Sequence, residues 1–278
     1  MKGLLNWEAI HQLMNNNFLK MDESAQKEMW GHSAEMYDGM AKLEKEYTKN
    51  QVNQMTLDPN DTVVDIGCGP GRLAIPIAKK VKKVTAVDIS EEMLNKCITN
   101  AQAEGVNNIV PLDLNWLEEG SEKKVGIHDI AVASRSVGFS DIVKLNNIAR
   151  KYAFILCWAN SPSLREIQLD FLEGITKEKI PPEANNRMFG YNITFNMLYD
   201  MGIEPNVVIV EDGFTRDYQT KEQAYKDLRF IGEIPPDKEA QFRKNVDKYL
   251  TAKPDEGFVL LRKTKTYVMW WNPQVLDI

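Results

Sequence analysis

The hydrophobic and polar positions in the middle of the chain change their period several times. Short apolar runs typical of buried strands occur at residues 62–66, 83–88, 109–112, 128–134 and 152–158. Amphipathic stretches with helical spacing lie between them, at residues 72–80, 91–104 and 141–150. Strands that alternate with helices predict a mostly parallel α/β sheet with helices on both faces.

The segment before this region has a purely helical pattern. Residues 7–55 are amphipathic, and the apolar face of the first predicted helix consists of Trp7, Ile10, Leu13, Met14 and Phe18. The cluster Asp58-Pro59-Asn60-Asp61 then ends the helical period. We therefore expect an N-terminal helical lid at 1–55 in front of a core at 56–278.

The pattern after Trp158 is less regular. Prolines and polar residues predict an insertion near 161–186, and a helix at about 189–201 and a strand at 207–211 follow it. Residues 220–252 predict a second, helical insertion broken at Pro235-Pro236. The segment GFVLLRKTKTYVMWWN predicts one or two antiparallel strands around a turn near residues 263–265.

A run of glycines marks the junction between the first predicted strand and its helix, in Asp65-Ile66-Gly67-Cys68-Gly69-Pro70-Gly71. Glycines there permit unusual backbone angles and let a ligand approach the main chain. A dinucleotide site uses G-x-G-x-x-G, but this spacing is G-x-G-x-G, and Arg72 stands where the third glycine would be. The acid Asp65 suits an amine-bearing ligand better than a phosphate.

A second acid, Asp88, ends the next predicted strand. A carboxylate in that place can accept both hydroxyls of a ribose. The two features together describe a nucleoside with an amino-acid-like tail and no pyrophosphate. S-adenosylmethionine fits this description.

These motifs resemble the class I S-adenosylmethionine-dependent methyltransferases, in their small-molecule-like branch. The resemblance rests on DIGCGPG, on the acid of VDIS and on Asp113 of PLDLNW, and it covers about residues 56–160. Trp30, Ala34 and Tyr37-Asp38 also resemble the helical lid that precedes the core in that branch. The resemblance implies a Rossmann-like seven-stranded sheet with one antiparallel strand, which the C-terminal segment would supply.

The resemblance also implies roles for particular residues. The methionyl end of the cofactor would contact Asp65, Gly67, Cys68 and Gly69, with Ser134 close by. Asp88 would hold the ribose. The adenine would lie among Ile89, Met93, Asp113 and Leu114.

Composition and charge narrow the choice of partners. The chain has 34 basic and 40 acidic residues, a formal net charge of −6 and a pI of about 5.3, which disfavours a broad grip on nucleic acid. No apolar run is long enough for a membrane span, and Glu8 and His11 interrupt the N-terminus where a signal peptide would be apolar. We expect a cytoplasmic protein, monomeric or homodimeric, with no metal, because three scattered cysteines and three distant histidines show no ligand spacing.

The acceptor side offers fewer signals. Methyl transfer from a sulfonium needs alignment and exclusion of water, and it needs a base only if the accepting atom carries a proton. The candidates are Tyr37 as a base, Arg135 as an anchor for an anionic group, and Asn160 as a pocket residue. Each has a structural alternative: packing for Tyr37, a solvated surface position for Arg135, and a helix cap for Asn160.

The sequence therefore predicts methyl transfer to a small, partly apolar metabolite, with S-adenosylhomocysteine as the second product. Aromatic residues of the expected pocket segments support an enclosed site, namely Trp30, Tyr37, Phe139, Trp158, Phe189, Tyr191 and Phe195. Three alternatives stay open: an RNA or protein methyltransferase, a non-catalytic protein that binds the cofactor, and a nicotinamide-dependent enzyme, which the G-x-G-x-G spacing disfavours.

Overall fold

A computed structural model describes residues 5–15, 21–159, 162–178 and 190–274. Its strands are β1 (Thr62–Ile66), β2 (Lys83–Asp88), β3 (Ile109–Asp113), β4 (His128–Ser134), β5 (Ala149–Trp158), β6 (Asn206–Tyr218), β7 (Leu250–Ala252) and β8 (Phe258–Trp271). Its α-helices are α1 (Trp7–Asn15), α2 (Glu23–Val52), α3 (Ala74–Ala78), α4 (Glu91–Ala103), α5 (Ser121–Val125), α6 (Ile142–Asn147), α7 (Leu164–Phe171), α8 (Tyr191–Asp200), α9 (Lys221–Asp227) and α10 (Glu239–Asp247).

One sheet organises the molecule, with strand order β3-β2-β1-β4-β5-β8-β6. Strands β1 to β5 pair in parallel, whereas β8 runs antiparallel between β5 and β6. This is the predicted mostly parallel sheet with one antiparallel strand, and the short β7, which pairs with β8, adds an eighth strand. Because β1, β2 and β4 are neighbours, their carboxyl ends bring the two predicted acids and residues 134–136 to one edge.

The prediction of a turn near residues 263–265 is wrong. Strand β8 continues through this point and pairs with β6 from Asn206↔Trp270 to Tyr218↔Phe258. Lys263 and Lys265 are exposed, while Thr264 and Thr266 between them are buried. This alternation of exposed and buried residues is the period of a strand with one solvent-exposed face. The two lysines lie on that face and do not indicate a loop. The predicted 207–211 strand is correspondingly the first part of a much longer β6.

Helix α2 forms most of the N-terminal segment. It begins at the N-cap Asp22, whose side chain accepts a hydrogen bond from the Ala25 amide at 2.8 Å, and it continues for 30 residues. It packs against β6 and α4, and nine of its residues are buried. The helical prediction for 7–55 is confirmed where the structure describes it, although Leu13 of α1 is 71% exposed and does not belong to an apolar face.

Two apolar layers cover the faces of the sheet, and a third cluster lies outside them. This third cluster contains Met40 and Leu43 of α2, Phe171 of α7, Phe214 of β6 and Phe242 of α10. Helices α7, α9 and α10, which lie in the described parts of the two segments predicted as insertions, thus pack together with α2 and β6. In the described part of the chain, no helix is long and apolar enough to cross a membrane.

Candidate active site

The glycine turn after β1 is the first wall of a cavity. Gly67, Gly69 and Gly71 have φ of +69°, +54° and +90°, a backbone region that side chains disfavour. A Cβ on Gly67 would lie 2.6 Å from Cβ of Ser136, but a Cβ on Gly69 would meet nothing within 4 Å. Gly69 therefore faces open space inside the cavity, which is what close approach of a ligand to the main chain requires.

Asp88 forms the second wall at the end of β2. Its Oδ2 accepts a hydrogen bond from the Gly69 amide at 2.9 Å, and its Oδ1 accepts one from the Ser90 amide at 3.0 Å. Burial raises the pKa of this carboxyl group, while these backbone donors oppose the rise. Each carboxylate oxygen keeps lone-pair capacity, so Asp88 can still accept two ligand hydroxyls.

The cavity has a volume of about 560 Å³, which suits a cofactor together with a small second ligand. It brings together most of the residues that the sequence singles out: Tyr37, Gly67, Cys68, Gly69, Asp88, Ile89, Met93, Leu114, Ser134 and Arg135. Two predicted acids, Asp65 and Asp113, are not part of the lining. Asn160 and Phe189 lie outside the described residues.

Asp65 is fully enclosed near the glycine turn. Its side chain belongs to a residue only 2% exposed, and desolvation raises its pKa to about 7, with the charge of Arg72 opposing the rise. The ionised form of such a buried carboxyl group is stabilised when a cation comes near. Because Asp65 does not line the cavity, it can affect a ligand there through its charge but not through direct contact.

Asp113 has the opposite environment at the end of β3. Its side chain is 55% exposed, and Oδ1 lies 3.9 Å from Nζ of Lys27 in α2. The next residue, Leu114, is buried and lines the cavity. At this edge the apolar residue, and not the acid, forms the wall.

One face of α2 closes the other end of the cavity. Trp30, Tyr37, Ala41 and Glu44 follow one another at intervals of seven, four and three residues, so they share a side of the helix. The Trp30 and Tyr37 rings meet edge to face, with centroids 5.5 Å apart. Burial raises the pKa of Tyr37.

Further aromatic residues complete this end. Phe139 and Trp158 line the cavity as predicted, and Trp116 joins them. Tyr191 and Phe195 instead pack against the core on one face of the sheet. The predicted aromatic set thus divides between the cavity and the core.

Arg135 is a buried residue, so its alternative as a solvated surface arginine is wrong. Its φ of +52° is the only positive value among non-glycine residues in the described chain. Nη1 donates to both Glu44 oxygens at 2.8 and 3.0 Å, and Nη2 donates to Asp212 at 2.5 Å and to Thr266 at 2.9 Å. The guanidinium also stacks on Trp158, 3.2 Å from the ring centroid. Both Nη groups are thus bonded to the protein itself, whereas the buried Nε has no hydrogen-bond partner among the described residues.

Several lining residues were missed from the sequence, and among them are Glu44, Arg72 and Trp116. Glu44 is only 1% exposed, and its position seven residues after Tyr37 was the available signal. A charge on the same helical side as an aromatic pair indicates a buried polar contact. The partners of Glu44 come from distant segments, so no local pattern could name them.

The histidines and cysteines have environments that the sequence did not show. His11 and His128 are buried, and His128, the first residue of β4, has Nε2 2.9 Å from the Thr85 hydroxyl. Cys68 Sγ donates to the Gly69 carbonyl at 3.5 Å, and the nearby Cys97 thiol, together with burial, raises the pKa of Cys68. Spacing in sequence concealed the proximity of the two cysteines, because α4 and the turn after β1 meet only in the folded chain.

Comparison with known proteins gives matches that include the glycine turn and Asp88. Residues 63–149 match a family described as a methyltransferase domain. An uncharacterized protein of Haemophilus influenzae is 27% identical over 235 residues, which is 81% of each chain. A 23S rRNA (uracil(1939)-C(5))-methyltransferase of Aliivibrio fischeri is 29% identical over 82 residues, 30% of this chain and 19% of that one.

A probable cobalt-precorrin-6B C(15)-methyltransferase of Methanococcus maripaludis is 34% identical over 71 residues, 26% of this chain and 39% of the relative. The matches to these named enzymes therefore span less than half of their lengths. Among solved structures, a protein described for the conversion of a disulfide bond into a thioacetal group during echinomycin biosynthesis superposes with a TM-score of 0.50. It is 14% identical, over 83% of this chain and 82% of that chain.

The family match covers the strands and turns that build the cofactor end of the cavity. The sheet order, the open backbone at Gly69 and the acid at Asp88 agree with it. Residues 63–149 of this chain are therefore similar to a methyltransferase domain.

Proposed function

We propose that this protein transfers the methyl group of S-adenosylmethionine to a small, partly apolar metabolite. The observation that carries this proposal is a single cavity with two unlike ends. One end has the glycine turn and Asp88, and the other has the aromatic face of α2. A cavity of about 560 Å³ has a volume suited to a nucleoside and a small acceptor side by side, which supports a small-molecule acceptor.

The cofactor roles follow the positions of the lining residues. Gly67, Cys68 and Gly69, with Ser134 opposite, are proposed to surround the methionyl part, and Asp65 to favour its ammonium through charge. Asp88 is proposed to hold the ribose hydroxyls. Ile89, Met93 and Leu114 are proposed as the adenine walls, with the exposed Asp113 beside the adenine edge.

The chemistry of the transfer needs little from the protein beyond geometry. The cofactor supplies an already activated methyl group on a sulfonium. The residues of this chain exclude water and hold the acceptor atom in line with that methyl group. Tyr37 is proposed to lie beside the reacting methyl group and to orient the acceptor through its phenol; burial raises the pKa of Tyr37, so the phenol keeps its proton and a role as base is disfavoured. Asn160 is proposed as a pocket residue.

Arg135 has a different proposed role from the one its position in the sequence suggests. Because both Nη atoms are bonded to Glu44, Asp212 and Thr266, the guanidinium is better placed to shape the pocket than to grip an acceptor. Its stacking holds the Trp158 ring at the wall. We propose that Arg135 positions the acceptor through these two contacts.

The N-terminal segment is proposed to act as a lid over the cavity. Helix α2 supplies the apolar side chains that would separate the reacting atoms from water. The same helix also carries Glu44 into the buried ion pair with Arg135, so the lid is tied to the core at that point.

Calorimetry and a methyl-transfer screen test the proposal. We expect S-adenosylmethionine and S-adenosylhomocysteine to bind the whole protein, and labelled methyl groups to reach a metabolite in a library of small aromatic and heterocyclic compounds. NAD serves as the control ligand, and its tighter binding would contradict the cofactor assignment.

A second arm addresses the acceptor class. Filter binding with tRNA, rRNA fragments and duplex DNA at low salt should give weak association and no methyl incorporation, because few basic side chains line the cavity. Salt-sensitive binding with methylated RNA as product would establish the RNA methyltransferase alternative instead. Tight cofactor binding with no turnover on any acceptor class would favour a non-catalytic protein.

A further inference from the structure

Two arginines, Arg72 and Arg135, belong to the wall of the cavity, and both are nearly buried. Their side chains are 13% and 11% exposed. A buried guanidinium is costly unless its charge and its donors have partners. The two residues differ in the partners that the protein gives them.

Arg135 is fully compensated by acids. Its Nη1 reaches both oxygens of Glu44, and its Nη2 reaches Asp212, so two carboxylates face one guanidinium. Gln51 and Thr266 also donate to Asp212 and hold it in place, at 3.0 and 2.5 Å. With two ion-paired carboxylates, the charge of Arg135 is better compensated than that of a guanidinium with neutral partners, although its buried Nε has no hydrogen-bond partner among the described residues.

Arg72 has mainly neutral partners. Its Nη1 donates to Gln51 Oε1 at 2.8 Å, and its Nη2 donates to the Ser134 hydroxyl at 2.5 Å. Its closest carboxylate oxygen in an ion pair is Glu44 Oε2, 3.5 Å from Nε, and Glu44 already serves Arg135. The positive charge of Arg72 is therefore the less compensated of the two. Each of its Nη groups keeps one further N–H for another acceptor.

Arg72 lies beside the glycine turn, so its positive charge is close to that part of the cavity. The residue follows Gly71 directly, and its side chain reaches Ser134 at the carboxyl end of β4. It thus lies along the turn on which the methionyl part of the cofactor is proposed to rest. Asp65 is close enough for the two charges to act on each other.

We propose that Arg72 binds the carboxylate of the methionyl group of S-adenosylmethionine, while Asp65 favours the ammonium on the same carbon. This inference rests on the proposed function, because it concerns the same cofactor. Asp65 and Arg72 place a negative and a positive side chain on either side of the glycine turn. This pair of charges is complementary to an α-amino acid, which carries an ammonium and a carboxylate on one carbon. A guanidinium can also bind a carboxylate with two parallel hydrogen bonds.

The burial of Arg72 is consistent with this assignment. Burial and the nearby charge of Arg135 lower the pKa of Arg72, so its cationic form gains from an added anion. The cofactor carboxylate would supply the partner that Glu44 cannot fully provide. Arg72 occupies the position at which the dinucleotide motif has its third glycine. The residue that distinguishes the two motifs would then be the one that binds the amino acid part of the cofactor.

A pair of ligands tests the inference without any need for turnover. Calorimetry with the full chain compares S-adenosylmethionine with its decarboxylated analogue, which keeps the nucleoside, the sulfonium and the amine. We expect the wild type to prefer the carboxylate-bearing ligand by about tenfold or more. In Arg72→Gln the preference should fall to about twofold or less, with affinity for the analogue little changed.

Two controls separate recognition from stability. Asp88→Ala should weaken binding of both ligands by the same factor and keep the preference. If Arg72→Gln does not fold, Arg72→Lys retains the charge and should keep part of the preference. Equal affinity of the wild type for the two ligands, or an unchanged preference in Arg72→Gln, would overturn the inference. Binding of neither ligand would overturn the proposed function, and the inference with it.

Discussion

The two ends of the cavity are built in different ways. The proposed cofactor end comes mainly from one short stretch, in which β1, the glycine turn, β2 and the first turn of α4 follow each other between residues 62 and 93, and Leu114 and Ser134 complete it. The acceptor end takes residues from α2, from the ends of β4 and β5 and from the start of α7. Behind it lie Asp212 of β6 and Thr266 of β8.

The forces that hold these ends differ as well. At the cofactor end, backbone amides and a single acid are joined by short-range hydrogen bonds, such as Gly69 and Ser90 to Asp88. At the acceptor end, charged side chains from distant segments form nearly buried ion pairs, in which Arg135 contacts Glu44 and Asp212. A local site can lose ligand binding while the fold persists, whereas a site assembled from buried charges is coupled to stability.

The largest effect should come from breaking the buried charges with Arg135→Gln. Glu44 and Asp212 would then lie buried without their cation, so we expect a loss of about 3–5 kcal/mol in the free energy of unfolding. Urea unfolding followed by circular dichroism measures it. The matched control is Arg165→Gln, because Arg165 is 53% exposed in its pair with Glu178 and should cost less than about 1 kcal/mol. Similar losses in the two variants would show that the Arg135 network does not stabilise the fold.

A smaller effect, confined to ligand binding, is expected for Asp88→Ala. Loss of hydrogen bonds to a charged acceptor should weaken S-adenosylmethionine binding by about 1.5–3 kcal/mol, measured by calorimetry. Asp113→Ala is the control at the neighbouring strand end, where the acid is 55% exposed and should matter little. If Asp113→Ala weakened binding as much as Asp88→Ala, the adenosine would have to lie outside the cavity proposed for it.

The smallest effect is a pH dependence that originates at Asp65. The pKa of this buried acid is raised to about 7, so below that pH the carboxyl group is protonated and cannot favour an ammonium. We expect cofactor affinity to fall by up to about tenfold per pH unit below pH 7 and to level off above it. Asp65→Asn should remove this dependence, and calorimetry at pH 5.5 to 8 compares the two proteins.

The same carboxyl group should affect stability with the opposite trend. Without cofactor, the folded chain binds this proton more tightly than the unfolded chain, in which the pKa is near its ordinary value of 3.8. The contribution of Asp65 to the free energy of unfolding therefore decreases as pH rises from about 4 to about 7 and is constant above that range. A wild-type protein and an Asp65→Asn variant with identical pH profiles of unfolding would show that Asp65 is already ionised across this range.

The sequence by itself determined the sheet and the cofactor end. Strands β1, β2 and β4 lie at the predicted residues, because each is a short apolar run between clear breaks. Gly67, Gly69 and Asp88 were recognisable because a strand-to-helix turn and a strand end are local features, set by neighbouring residues. Helix α2 was also recognisable from its period, although the alternation at Lys263 and Lys265 was misread as a turn.

Only the tertiary structure decided which charges meet. Glu44, Arg72, Arg135 and Asp212 are far apart in the chain, and each alone has the pattern of an ordinary surface residue. They are buried because α2 crosses the carboxyl edge of the sheet beside β6, and this crossing depends on the packing of the third apolar cluster. Periodicity tells which side of a helix is buried, but the partner of that side depends on contacts between segments distant in sequence. The cofactor end is therefore a property of a motif, and the acceptor end is a property of the fold.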